Sequence, residues 1–303
     1  MVKSSFDVVY ATDRKYHRYT SASIHSLLDS QPDGLIRRIF VMCALGEMPE
    51  IRRRMKRQLG LWRKSRVQWV GVDEAYKSLP IMKGSWWSNA AFLRFFAAEA
   101  LPPDTENLLY LDSDVLIRGP LDELKKIFGS MRSKGVIVAA RPHPDRGDWR
   151  RTRRKFGLDS YFNSGVLAID AQAWREKKLA AQLVTYYVEN QKRLKFSDQD
   201  TLNVFFADQY FQLSYKFNNF PTVDDEEGAI IVHLIGPIKP TLKRARNRFS
   251  KEFQRYIRRT HPFTFLVGLE VNSLFRTLLL TDLPPRLPRS LRGRRQSGSL
   301  VEG

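Results

Sequence analysis

Apolar residues gather into seven short runs: "FDVVYA" (6–11), "IRRIFVMC" (36–43), "SRVQWVGV" (65–72), "NLLYLD" (107–112), "GVIVAA" (135–140), "SGVLAI" (164–169) and "AIIVHLI" (229–235). Most are rich in Val, Ile and Leu with little polar alternation, as expected of strands covered on both faces. Between them, mixed stretches predict helices over 20–30, 48–59, 89–101, 121–129, 171–190 and 198–208. Pro49 and Pro120 stand where a first helical turn tolerates proline, and Ser197 with Asp198 can cap the last helix. Strands alternating with helices predict an α/β architecture, a mostly parallel central sheet with helices on both faces.

The pattern changes near residue 240. "KPTLKRARNRFSKEFQRYIRRTHPF" is strongly basic, and a helical stripe of Phe263, Val267, Val271, Leu274 and Leu278 follows it. The end, "LPPRLPRSLRGRRQSGSLVEG", has a disordered composition. The expected organisation is a catalytic domain over 1–240 and a basic C-terminal extension over 241–303. Within the extension we expect an amphipathic segment at about 263–280 and a disordered tail at about 284–303. The stripe fits either an interfacial segment on an anionic membrane surface or a face packed on the body.

Composition narrows the function. Cys43 is the single cysteine, so a disulfide framework is impossible and a reducing compartment is expected. "MVKSSFDVVYATD" has no secretory leader pattern and no run reaches 18 uninterrupted apolar residues, which together predict a cytoplasmic, soluble or peripheral protein. With 51 Lys and Arg against 32 Asp and Glu, the formal charge is +19. Such a balance suits nucleic acid, an anionic membrane or an anionic substrate. Nucleic acid is disfavoured, because no binding motif occurs and Asp112, Asp114 and Asp198 would repel phosphates. Phosphate loops of the form G-x-x-x-x-G-K-S/T, the dinucleotide fingerprint G-x-G-x-x-G, C-x-x-C pairs and the G-x-S-x-G elbow are all missing.

What remains is "LLYLDSDVLIRGPL" (108–121). In extended backbone, residues i and i+2 share a face, so Asp112 and Asp114 converge where a strand ends. Carboxylate oxygens suit Mg²⁺ or Mn²⁺, although a turn acid followed by a capping acid fits the same two letters. His233 leaves another strand in "AIIVHLIGPIKP", followed by Gly236 and Lys239. An imidazole can complete a cation site, glycine admits a phosphate close to the backbone, and lysine neutralises it. "KFSDQDTLN" (195–203) sets Asp198, Gln199 and Asp200 at a helix start, suited to gripping sugar hydroxyls or simply to capping. "YFNSGVLAID" (161–170) offers Asn163 and Ser164 ahead of a strand.

In this order and spacing, "YATD", "LLYLDSDVLIRGPL", "YFNSGVLAID", "SDQDTLN" and "HLIGPIKP" resemble glycosyltransferase family 8 over residues 6 to 240. Those are retaining sugar-nucleotide transferases, including bacterial lipopolysaccharide galactosyl- and glucosyltransferases and glycogenin. The resemblance implies a GT-A fold with a D-x-D metal motif. By position, Asp112, Asp114 and His233 would bind Mn²⁺ or Mg²⁺, while Ala11 and Asp13 meet the uridine of UDP-galactose or UDP-glucose. Arg94 would reach the donor, Asn163, Asp198 and Gln199 would line its sugar, and Gly236 with Lys239 would hold the diphosphate.

Three positions depart from the family. Lys15 replaces a common asparagine, Thr241 a common tryptophan, and Arg141 or Pro142 stands near a usual acid. With Gln199 an amide and hence a poor nucleophile, front-side attack is expected. The basic run "RPHPDRGDWRRTRRKFG" (141–157) occupies the family's acceptor loop. It predicts an anionic glycan or glycolipid acceptor, such as a lipopolysaccharide core, reached at the cytoplasmic face of the inner membrane. The alternatives are a catalytically silent carbohydrate-binding or scaffold relative, and a glycogenin-like self-glucosylating enzyme.

Overall fold

The structure is a computed structural model that describes residues 5–64, 66–73, 89–224, 227–235, 239 and 247–260. The first half alternates as the apolar runs predict: β1 (Phe6–Ala11), α1 (His17–Ser30), β2 (Ile36–Ala44), α2 (Met48–Lys64) and β3 (Val67–Val72). A 3₁₀ segment (Asn89–Phe96), β4 (Asn107–Leu111), β5 (Val115–Ile117), α3 (Glu123–Ser133) and β6 (Val138–Pro142) follow. The remainder is α4 (Gly147–Phe156), β7 (Phe162–Asp170), α5 (Ala171–Glu176), α6 (Leu179–Asn190), α7 (Ser197–Phe206), β8 (Phe211–Gln212), β9 (Ile231–His233) and α8 (Arg248–Arg259).

Seven strands form one sheet in the order β3-β2-β1-β4-β7-β6-β8. It is mostly parallel; β7 runs antiparallel to both of its neighbours, β4 and β6. Both faces are covered. Val9 and Ala11 of β1 join Phe92, Phe95, Trp174 and Leu202 on one side. Phe6, Val8 and Tyr10 join Ile24, Ile51, Met55 and Phe128 on the other. Each large apolar side chain so buried contributes roughly 1.5–3 kcal/mol, which explains why these strands show no polar alternation.

Several elements differ from the sequence expectation. The helix expected at 89–101 is the 3₁₀ segment, and that expected at 171–190 breaks in two at Lys178, which adopts φ 51°. Helix α4 was not anticipated, because its sequence buries only Thr152 and so lacks an apolar stripe. It ends at Gly157, whose φ of 66° closes the last turn. Ser197 does not cap α7 through its side chain; Asp200 instead reaches back to accept from Phe196 N at 2.9 Å. The expected strand at 229–235 leaves the main sheet and pairs, as β9, with β5.

Residues 248–259, assigned from sequence to the extension, form α8, which buries Phe249, Phe253 and Ile257 against Ala22, Leu116, Val232 and Leu234. The compact unit containing the sheet accordingly runs to His261. The stripe at 263–280 and the tail at 284–303 lie outside the described residues.

Candidate active site

Strand β4 ends at Leu111 and β5 begins at Val115, so Asp112, Ser113 and Asp114 bridge the main sheet and the small one. The antiparallel register of β5 and β9 sets His233 opposite Val115, and Leu234 N donates to Asp114 O at 3.0 Å. Two stretches separated by more than a hundred residues are thereby locked together. His233 Nε2 lies 3.1 Å from Asp114 Oδ1 and 3.8 Å from Asp112 Oδ2, and one ligand atom from each residue falls within 4.8 Å of the others. Such proximity requires Gly165 on β7. A Cβ there would sit 2.1 Å from His233 Cε1 and 2.7 Å from Asp112 Oδ2.

The donor set fits a hard divalent cation. His233 Nδ1 faces the side-chain oxygens of Asn163 at 3.1 Å and Asn218 at 3.0 Å, so a neutral ring carries its proton on that side. Its Nε2 lone pair then points toward two carboxylates, an arrangement of acceptors that a cation satisfies. Lys239 Nζ approaches Asp114 Oδ2 at 3.7 Å. Burial pushes the Asp114 carboxyl up, but the positive charge of Lys239 acts against it, and the group stays below the usual carboxylate range.

Beside the triad, Arg94 is sequestered among acids. Nη2 donates to Asp112 Oδ1 at 3.0 Å, Nε lies 3.1 Å from Asp198 Oδ2, and Nη1 donates to the backbone and hydroxyl oxygens of Ser164. Burial disfavours its charge, yet the two carboxylates keep it protonated. Asp198 is also buried, and this pushes its carboxyl up to about 6 despite Arg94. On the next residue, Gln199 Oε1 accepts from Asn163 Nδ2 and from Ser164 N, each at 3.1 Å, while Nε2 donates to the Tyr161 hydroxyl at 3.2 Å.

These groups line a cavity of about 480 Å³. One wall is aromatic: the His143 and Trp149 rings stack with centroids 3.9 Å apart, and Phe196 tilts against Trp149 at 4.8 Å. Trp149 and Asp148 arrive on α4, so the expected acceptor loop is a helix whose first turn reaches the cavity.

Arg94, Asp112, Asp114, Asn163, Asp198, Gln199, His233, Lys239 and Ala11 all line it. Asn163 and Ser164 lie inside β7 rather than ahead of it. Asp13 directs Oδ1 to the backbone N–H groups of Lys15 and Tyr16, whereas its neighbour Thr12 and Tyr16 line the cavity. Gly236 and Thr241 lie outside the described residues. Arg141 turns away to form two hydrogen bonds with Asp224, at 2.7 and 2.6 Å, so its charge is neutralised locally. Gly165, Asn218 and Tyr161 were not foreseen as site residues, and His143 and Trp149 were foreseen only as members of the 141–157 acceptor run. The glycine inside "NSGV" was the one visible signal, because glycine in a strand marks a close approach.

The fold is of the GT-A class: the structure matches galactosyltransferase LgtC, solved with donor and acceptor sugar analogs, over 83% of this chain and 95% of that one. The TM-score is 0.71 at 22% identity, a likeness of fold. Residues 7–244 match glycosyl transferase family 8, and the chain belongs to that family. Among its relatives is lipopolysaccharide glucosyltransferase WaaO of Escherichia coli (strain K12), 27% identical over 77% of this chain and 72% of that protein. The lipopolysaccharide 1,3-galactosyltransferase of Salmonella typhimurium (strain LT2) is 25% identical over 78% of this chain and 72% of that protein. With lipopolysaccharide 1,2-glucosyltransferase of Escherichia coli (strain K12), at 27% identity, the match spans 51% of this chain and only 49% of the relative's length.

Proposed function

We propose that this protein is a retaining hexosyltransferase that moves galactose or glucose from UDP-hexose to an anionic glycan, such as a lipopolysaccharide core. The observation that carries the reading is the meeting of Asp112, Asp114 and His233 on the wall of a cavity shared with Arg94, Asp198 and Gln199. The two relatives that act on lipopolysaccharide as glucosyl- and galactosyltransferase support the substrate class.

Asp112, Asp114 and His233 would hold Mn²⁺ or Mg²⁺, which when bound supplies Lewis-acid stabilisation of the leaving diphosphate. Lys239 adds a positive charge beside the same acids. Both lone pairs of Gln199 Oε1 already accept hydrogen bonds, which makes this amide a poor nucleophile. Entry of the acceptor from the face the nucleotide leaves is the consistent route to retention. The Gln199 carbonyl dipole and the Asp198 carboxylate then stabilise positive charge developing at the anomeric carbon.

The acceptor's charge is read from α4, which carries exposed Arg150, Arg151, Arg154 and Lys155 behind the cavity-lining Trp149. Helix α8 turns its apolar side inward and exposes Arg248, Lys251, Arg255, Arg258 and Arg259. No helix among the described residues is long and apolar enough to cross a membrane. On the exposed basic residues of α4 and α8 we propose that the enzyme works at the cytoplasmic face of an anionic inner membrane, held by charge.

A hydrolysis screen across UDP-sugars, with Mn²⁺ and with a chelator, tests the reaction. Cation-dependent UDP release from UDP-galactose or UDP-glucose is expected. A protein that neither hydrolyses nor binds any UDP-sugar is instead the silent relative.

A further inference from the structure

We infer that Asn218 is a positioning residue for the cation site: its side-chain carbonyl fixes the tautomer of His233 and, through it, the affinity for a divalent cation. The inference rests on the metal reading above and adds a residue that makes no contact with the acids.

The argument starts from two backbone donors whose direction is not adjustable. Ser164 N–H donates to Gln199 Oε1 at 3.1 Å, and Gly165 N–H donates to Asn163 Oδ1 at 3.0 Å. Both amides are thereby oriented, since a backbone N–H never accepts. Asn163 Nδ2 then has Gln199 Oε1 as its acceptor at 3.1 Å, and Asn218 Nδ2 donates to Asn163 Oδ1 at 2.9 Å. A carbonyl oxygen has two lone pairs, and those of Asn163 Oδ1 are now both used. His233 Nδ1, 3.1 Å from that oxygen, needs another acceptor, and Asn218 Oδ1 at 3.0 Å is the one remaining.

The consequence falls on the opposite side of the ring. With the proton on Nδ1, Nε2 offers its lone pair 3.1 Å from Asp114 Oδ1 and 3.8 Å from Asp112 Oδ2. The other tautomer would set a lone pair against two carbonyl oxygens and donate Nε2–H to Asp114, closing the position to a cation. Asn218 is itself completely buried and firmly held. Its backbone oxygen accepts from Arg141 Nη1 at 2.7 Å, and Arg141 is fixed by Asp224 and by the Phe220 ring 4.1 Å from its guanidinium carbon. Arg141, a departure from the resembled family, thus anchors the turn that presents Asn218.

The test uses the full chain, labelled with ¹⁵N-histidine and stripped with a chelator. Its His233 ring signals are identified by their loss in His233→Gln. The unaltered protein is expected to show the Nδ1–H tautomer and to bind Mn²⁺, alone or with UDP, by calorimetry. Asn218→Leu, near-isosteric but unable to accept, also frees the Asn163 Oδ1 lone pair that Asn218 Nδ2 occupied. With only that second acceptor left, the ring should shift part-way toward Nε2–H and Mn²⁺ binding should weaken about 10-fold. Asn218→Asp, which restores an acceptor, should recover binding; a mere packing role would neither move the tautomer nor be rescued. Should Asn218→Leu fail to fold, the unaltered protein still decides, because an Nε2–H ring there overturns the inference. Unchanged tautomer and affinity in a folded Asn218→Leu overturn it alone, whereas no Mn²⁺ binding by the unaltered protein overturns the metal reading with it.

Discussion

Asp112 and Asp114 sit one residue apart in a bridge between sheets, and each already has a cationic neighbour, Arg94 and Lys239 respectively. Asp112→Asn or Asp114→Asn should cost roughly a hundredfold or more in transfer, and should abolish metal-dependent UDP binding in an equilibrium assay. Gly165→Ala tests the closeness of the same site, because His233 and Asp112 must both retreat from the new Cβ. We expect loss of Mn²⁺ binding and about 1–3 kcal/mol of stability, read by urea unfolding. Burial, helped by Arg141, pushes the His143 imidazole down to about 3 from its ordinary 6.5. As pH falls below 6.5 the unfolded chain takes up that proton first. Stability is then full above 6.5 and declines by about 1.4 kcal/mol per pH unit toward 3. Urea midpoints from pH 7 to 4 should show this slope, and His143→Gln should lack that component. The acid pair was legible because i and i+2 share a face. Gly165 and Asn218 were not, since their roles come from neighbours remote in sequence.

Among the elements, α8 shows how composition can conceal packing. Phe249, Phe253 and Ile257 recur every four residues, but the surrounding Lys and Arg made the segment read as part of a basic extension. Phe253 is fully buried in a cluster with Leu116 and Val232, residues of the two short strands that flank the acids and His233. Phe253→Ala should cost about 3–5 kcal/mol, measured by denaturant unfolding of the full chain. Helix α4 failed to show in the sequence for the opposite reason: it has no apolar stripe at all and is placed by Trp149 stacking on His143. The strands were the most legible elements, because burial on both faces writes itself as uninterrupted Val, Ile and Leu. Their partners were not legible, and the crossing of β9 to β5 could be read only from the fold.

At the scale of the whole molecule, a formal charge of +19 has to coexist with a site built on acids. Screening acts on exposed charges over roughly 8–10 Å at ordinary ionic strength and much less on buried pairs. An anionic acceptor should therefore lose affinity severalfold between low and moderate salt, while hydrolysis of the buried donor changes little. Salt-indifferent acceptor kinetics would argue for a neutral glycan. What the chain settled by itself was the alternation of strands and helices, the D-x-D pair and the order of motifs, since each depends only on residues near one another along the backbone. Folding alone decided that His233 lies opposite Val115, that a glycine lets imidazole and carboxylate approach, and that an asparagine from a third segment orients the ring. Those depend on strand register and on interatomic gaps of a few ångströms, which no local pattern of side chains encodes.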